Sequence, residues 1–135
     1  HYKSGNMQRL QRKYTAEGVV WLSIISSAPG KQGHSTPDEA NRRIGATGAA
    51  PTAVLLDHDG HVGRLYGAKV TPHMFVIAPN GVLVYNGAID DIRSTDVDDI
   101  KKAHNYVAAA LDALRAGEPV EINQTAPYGC GVKYE

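Results

Sequence analysis

Cysteine is nearly absent from this chain: Cys130 is the one thiol in 135 residues. A single thiol cannot build an internal disulfide framework or a thiol-rich metal site. An excess of one charge is also missing, since Lys plus Arg is 14 and Asp plus Glu is 14. That balance removes the electrostatic reason to expect nucleic acid or an anionic membrane as a partner. No apolar run approaches the roughly 20 residues that a membrane-crossing helix needs. No Gly-rich phosphate loop follows a strand candidate, so nucleotide binding has little support. The chain begins at His1, with neither an initiator methionine nor a signal-like segment. It reads as a processed or truncated product whose compartment its first residues do not give.

What is present suits one domain with a single core. Met7, Leu10 and Tyr14 fall at helical spacing, with Gly18 as a stop. Val19 to Ile25 reads as a strand buried on both faces. Ser26 to Ser35 is a polar loop. Thr36-Pro37-Asp38-Glu39 reads as a capping box opening a short helix that ends by Gly45 or Gly48. Thr52 to Leu56 is a further strand, Asp57-His58-Asp59-Gly60 an exposed turn, and His61 to Tyr66 one helical turn or an irregular link. Ser94-Thr95 caps the longest predicted helix, whose apolar stripe is Val97, Ile100, His104, Val107, Leu111 and Leu114, with Gly117 and Pro119 ending it. The domain spans residues 1–117, and residues 118–135 form a tail without periodicity. Alternating strands and helices predict an α/β layered fold.

The most informative segment is Val70-Thr71-Pro72-His73-Met74-Phe75-Val76. A proline precedes a run of strand formers, where its missing N–H is tolerated. Pro79-Asn80-Gly81 then turns the chain into Val82-Leu83-Val84-Tyr85, giving a strand pair. Met74 to Ala78 also reads as doubly buried.

This unit resembles the second half of the thioredoxin fold. With Gly18 to Ile24, Ser27 to Gly33, Ala50-Pro51-Thr52, Tyr66 to His73, Phe75-Val76-Ile77, Gly87 to Asp90 and Gly129 to Tyr134, the chain looks like a bacterial redoxin of the thioredoxin superfamily, near the AhpC/TSA and TlpA-like proteins. The resemblance implies a thioredoxin-like three-layer fold with a central mixed sheet. It implies a cis bond at Thr71–Pro72, and a Thr71 backbone that pairs with an extended substrate by β-addition. It implies thiol-disulfide oxidoreductase or peroxiredoxin-like, antioxidant chemistry without an organic cofactor. A thiol/disulfide protein or a hydroperoxide would be the partner, and a homo-oligomer or strand exchange is compatible with it. Cys130 becomes the resolving or exchange thiol; Thr71, Pro72 and His73 become the substrate-binding loop.

One departure is serious. Such redoxins carry a strand and a Cys-Pro motif before their first long helix, and His1 to Asn6 look like the residues just after that motif. The nucleophilic cysteine and its strand, which would lie mid-sheet, are missing from this sequence. The reaction therefore belongs to the intact protein. The rival class is a binding or regulatory module that keeps the fold without turnover. A cysteine upstream of His1 would favour the enzyme, and a serine or alanine there the module. A periplasmic or secreted bacterial location is slightly favoured over the cytoplasm.

The remaining motifs have plainer readings. Cys130 reads equally as an exchange thiol and as a bystander. His73 reads as a thiol-tuning residue or, more often, as a half-buried strand position. Asp57, His58, Asp59 and His61 suit an exposed turn better than a metal site. His104 reads as a core histidine, Trp21 and Tyr66 as packing. Asn123-Gln124-Thr125 is a frequent chance match to a glycosylation acceptor.

Overall fold

Apolar residues at helical spacing open the chain, and they form its first helix. The computed structural model describes residues 1–135, a mixed α/β arrangement of two compact units: His1–Ala68 with Val132–Glu135, and Lys69–Gly131.

In the first unit, α1 (Asn6–Ala16) buries Met7, Leu10 and Tyr14 as the spacing predicts. It buries Gln8 and Gln11 beside them. The Gln8 amide donates to the Thr47 carbonyl at 2.7 Å, and Gln11 Oε1 accepts from the Ala50 amide at 2.8 Å. These two bonds fix the end of α2 (Pro37–Thr47), whose start is the predicted capping box. The Thr36 N–H donates to the Glu39 carboxylate at 2.9 Å and is the chief cause of that carboxyl's lowered pKa.

Strands β1 (Leu22–Ile25) and β2 (Ala53–Leu56) pair in parallel, Leu22 opposite Ala53 and Ile24 opposite Leu55. Trp21, just before β1, is buried. The expectation of a strand buried on both faces is corrected: Leu22, Ile24 and Leu55 are 49%, 43% and 44% exposed. They share one face of a two-stranded ladder, and alternation along β1 turns only Ser23 and Ile25 to the other. Tyr66 is also exposed, contrary to its reading as packing.

The Asp57 turn is not simply an exposed one. His58 and Asp59 are exposed, but Asp57 is buried. Its carboxylate accepts from Ser26 Oγ at 2.7 Å, the Gly63 amide at 2.8 Å and the Val62 amide at 3.1 Å. It thereby satisfies the first amides of α3 (His61–Tyr66). Tyr134 closes the same unit. A Cβ on Gly60 or Gly63 would come within 2.6 Å of its ring or hydroxyl, and that hydroxyl donates to the Ala68 carbonyl at 2.8 Å.

In the second unit, β3 (Val70–Thr71) is followed by an antiparallel pair, β4 (Met74–Ile77) and β5 (Leu83–Gly87). The Gly81 amide donates to the Ala78 carbonyl at 2.9 Å, which closes the predicted turn. Here too the doubly buried reading is corrected: Val76 is buried, but Ile77 is 47% exposed. The hairpin packs against α4 (Tyr106–Arg115), with Val76, Tyr85, Ile89, Val107, Ala110 and Leu111 as core.

The long helix predicted from Ser94 is two elements. A 3₁₀ helix (Val97–Lys101) is capped by Asp96, and α4 starts separately with Asn105 Oδ1 accepting from the Ala108 amide at 2.9 Å. Tertiary bonding explains the break. The His104 amide donates to Asp91 Oδ1, the His104 carbonyl accepts from the Asp91 amide, and the Tyr106 amide donates to the Ile89 carbonyl. These bonds keep His104 and Asn105 out of the helix, with Asn105 extended as the cap of α4. His104 is consequently exposed, edge-on to Tyr106 at 5.4 Å, and is no core histidine. α4 ends as predicted at Gly117, whose φ is 70°, with the Glu118 amide bonded to the Ala113 carbonyl. The tail then gains structure its sequence does not announce, as β6 (Cys130–Gly131) pairs antiparallel with β3.

Asp57 yields a test. Burial pushes its carboxyl up, but hydrogen bonds from Gly63, Ser26 and Val62 outweigh it and hold the pKa below the usual range. A lowered carboxyl stabilises the fold at pH above its unfolded value of about 4, and that stability is lost as pH falls through the folded pKa. Asp57→Asn should cost about 1–3 kcal/mol in urea unfolding at pH 7. The gap from wild type should narrow at acid pH.

Candidate functional site

Thr71 is the last residue of β3, and the bond from it to Pro72 is cis, as its place before a strand and the resemblance predict. Cys130 lies directly opposite Thr71 across the β3–β6 ladder, and Gly131 lies opposite Val70. Both Thr71 and Cys130 are exposed, and Cys130 is a free thiol. The chain therefore brings three of its sequence-predicted site residues, Thr71, Pro72 and Cys130, into one place.

The approach is close enough to dictate residue type. A Cβ at position 129 would lie 2.1 Å from the Thr71 carbonyl oxygen, and Gly129 has φ 147°. Both facts require glycine there. The strand edge that the resemblance gives to a substrate is thus occupied by the chain's own residues.

His73 is half-buried beside this loop. Its Nδ1 accepts from the Lys69 amide at 3.1 Å, and its Nε2 lies 2.8 Å from Asn86 Oδ1. The Lys69 amide can only donate, so Nδ1 holds the lone pair and Nε2–H donates to Asn86. The ring also stacks on Phe75 at 4.5 Å. Both nitrogens are engaged with the chain's own groups, so the ring ties the start of β4 to β5.

Upstream of Cys130 the tail is held by residues that no local pattern marks. Thr125 Oγ1 accepts from the Ala88 amide at 2.9 Å and lies 2.6 Å from the Tyr85 hydroxyl. The Asn86 amide donates to the Asn123 carbonyl, and the Asn86 carbonyl accepts from the Thr125 amide, each at 3.1 Å. The Tyr128 hydroxyl donates to Asp90 Oδ1. Burial and then the Asp90 carboxylate push the Tyr128 phenol well above its ordinary pKa. The one visible hint was an aromatic hydroxyl directly before Gly-Cys-Gly. The 38 positions between Asp90 and Tyr128 hide the pairing from any periodicity argument.

The second cluster weighed in the sequence does not assemble. Asp57 turns inward to α3, while His58 and His61 are exposed, and the His58 ring lies 5.1 Å from that of His34. No three His, Cys, Asp or Glu side chains converge as metal ligands would.

No protein-family model matches the chain, and neither does any curated protein. Among solved structures it is similar to an uncharacterized conserved protein from Geobacillus kaustophilus, at 27% identity and TM-score 0.80, over 98% of this chain and 68% of that one. It is likewise similar to a hypothetical protein from Sinorhizobium meliloti 1021, at 26% identity and TM-score 0.82, over 98% of this chain and 70% of the other.

His73→Ala should remove both bonds of the ring and its stacking on Phe75. We expect a loss of about 1–2 kcal/mol in urea unfolding, chiefly from leaving the part-buried Asn86 side chain without the ring, since the Lys69 amide can turn to water. Amide exchange at Lys69 should quicken with it, and a double-mutant cycle with Asn86→Ala should show coupling of about 1 kcal/mol.

Proposed function

We propose that the chain belongs to a thioredoxin-like protein with a three-layer fold, and that the intact protein is a thiol-disulfide oxidoreductase or peroxiredoxin-like redoxin. The observation that supports this best is Cys130 facing Thr71, with the cis Thr71–Pro72 bond directly before β4. The reading joins two independent features. The loop belongs to the words shared with the redoxins, and the only thiol of the chain docks at that loop. The parallel β1–β2 pair and the antiparallel β4–β5 pair suit a mixed sheet.

Cys130 is the resolving or exchange thiol in this reading. Its thiolate attacks a sulfur of a second cysteine, which the resemblance places in a Cys-Pro motif upstream. A new S–S bond forms to Cys130, and the group on the attacked sulfur departs. Where that sulfur is in a disulfide, the leaving group is a thiolate. Where it is a sulfenic acid formed by a hydroperoxide, the leaving group is water after protonation. Exposure of Cys130 and glycines on either side let another sulfur approach it.

The docked tail also supports the rival class, a binding module without turnover, because it fills the substrate edge. One experiment separates them. In the intact protein, Cys130→Ser should abolish an intramolecular disulfide in peptide mass maps of the oxidised form. It should also slow turnover with an external thiol reductant. Unchanged maps and unchanged turnover would make Cys130 a bystander, and an intact wild-type protein that shows no turnover would favour the module.

A further inference from the structure

The loop of residues 26–35 and the turn of residues 57–60 each carry one histidine, His34 and His58, and the first unit holds both segments firmly. The Ser26 hydroxyl donates to the Asp57 carboxylate at 2.7 Å, which joins the start of the loop to the residue before His58. A Cβ on Gly33 would come 2.9 Å from the Ser27 hydroxyl oxygen, so the loop closes on itself just before His34. Just after it, Ser35 is fully buried and Thr36 is fixed in its capping box. The Gly60 amide donates to the Asp57 carbonyl at 3.0 Å and closes the turn that contains His58.

The two ring centres are 5.1 Å apart and the planes are tilted by 48°. That angle is neither the stacked nor the edge-on arrangement that aromatic packing prefers. The distance suits a shared ligand. A cation held by two imidazole nitrogens at about 2.0–2.1 Å lies roughly 3.2 Å from each ring centre, and bond angles of about 90–110° then put the centres about 4.5–5.2 Å apart. One nitrogen is already prepared. The Ser27 carbonyl can only accept, so His34 Nδ1–H donates to it at 3.2 Å and Nε2 carries the lone pair. A backbone carbonyl on the far nitrogen is the support that metal-ligating histidines ordinarily have, since it fixes the tautomer and the ring orientation. His58 is exposed and its ring makes no hydrogen bond in the fold, so its nitrogens are open to a ligand.

We propose that His34 and His58 form a two-imidazole clamp for a divalent transition cation of the Zn²⁺ class. Imidazole nitrogen suits Zn, Cu and Ni, whereas Mg and Ca take oxygen ligands. Two protein ligands, fewer than a resident zinc centre has, leave positions for water or a small donor molecule and make the cation exchangeable. The clamp joins the 26–35 loop to the 57–60 turn, and it shares no residue with the Thr71–Cys130 pairing.

Zn²⁺ itself is the probe, and the full chain carries Cys130→Ser so that no thiolate competes. Titration calorimetry should give a tightest site of one cation per chain. Long-range ¹H–¹⁵N spectra should show the His34 and His58 rings shifting together, with His34 Nδ1 keeping its proton. His34→Ala and His58→Ala should each weaken binding at least about tenfold, through loss of the second, linked ligand. The double variant should lose little more than either single one, because one ring cannot chelate. His61→Ala, at an exposed histidine nearby in the chain, should change nothing. His58→Ala guards against misfolding, because that ring bonds to nothing in the fold. Without metal its urea midpoint should equal the parent's. Zn²⁺ should raise the parent's midpoint and leave that of His58→Ala where it is. Unchanged binding in His58→Ala, shifts confined to one ring, or an equal loss in His61→Ala would each overturn the clamp. A bystander Cys130 would leave the clamp standing, and its failure leaves the disulfide test untouched.

Discussion

Backbone against backbone, with no room for a Cβ, is the contact on which the second unit depends. It occurs twice along the tail. A Cβ on Gly87 would meet the Thr125 carbonyl oxygen at 2.4 Å, and one on Gly129 would meet that of Thr71 at 2.1 Å. Both glycines have φ near 148°, where other residues are strained. Side chains alone do not seat the tail. Its main chain is laid into the fold, and that is why a stretch of little apolar content becomes ordered. Between the two close approaches, Thr125 bonds the Ala88 amide and the buried Tyr85 hydroxyl, which also donates to the Ala88 carbonyl.

The loop and the tail are linked through one residue. Asn86 takes the His73 ring on its side chain and the Asn123 and Thr125 backbones on its main chain. A change of orientation at His73 thus bears on the strand that the tail pairs with, and through it on Cys130. A two-stranded hairpin is marginal by itself. Here α4 covers one face and the Gln124 bridge extends the pairing at Asn86. The residue next to the cis proline is therefore part of the scaffold that positions the thiol.

Much of the fold was legible where the cause is local. The Thr36 to Glu39 box, the Met7-Leu10-Tyr14 face, the Gly117 stop and the Asn80-Gly81 turn depend on residues within one turn of each other. The failures share the opposite property. Val97 to Leu114 has a helical stripe, but two backbone bonds to the 89–91 segment and one to the Asp91 carboxylate win over it at His104 and Asn105. Apolar β1 reads as buried because composition reports hydrophobicity and not whether a layer covers each face. Asp57 reads as a turn residue because its partners at Ser26, Val62 and Gly63 come from two directions along the chain. The thiol's place was legible only through resemblance, since nothing local in Gly-Cys-Gly says that it pairs with a strand some sixty residues earlier.

Cys130 combines two properties that usually exclude each other. An exposed residue near a chain terminus is ordinarily mobile, and a mobile thiol spends little time in any one geometry. A buried thiol is fixed but inert. Cys130 is exposed at its side chain, yet its backbone is held by the ladder to Thr71 and by the Tyr128–Asp90 contact two residues before it. Disulfide formation needs Cα atoms within about 7 Å and a narrow dihedral range. For the proposed exchange role, a fixed backbone with the sulfur in solvent would lower the entropy that such a bond must overcome without blocking an incoming sulfur. Glycine on each side serves both ends: the close approach at 129 is possible only without a Cβ, and the same absence clears the path to the sulfur.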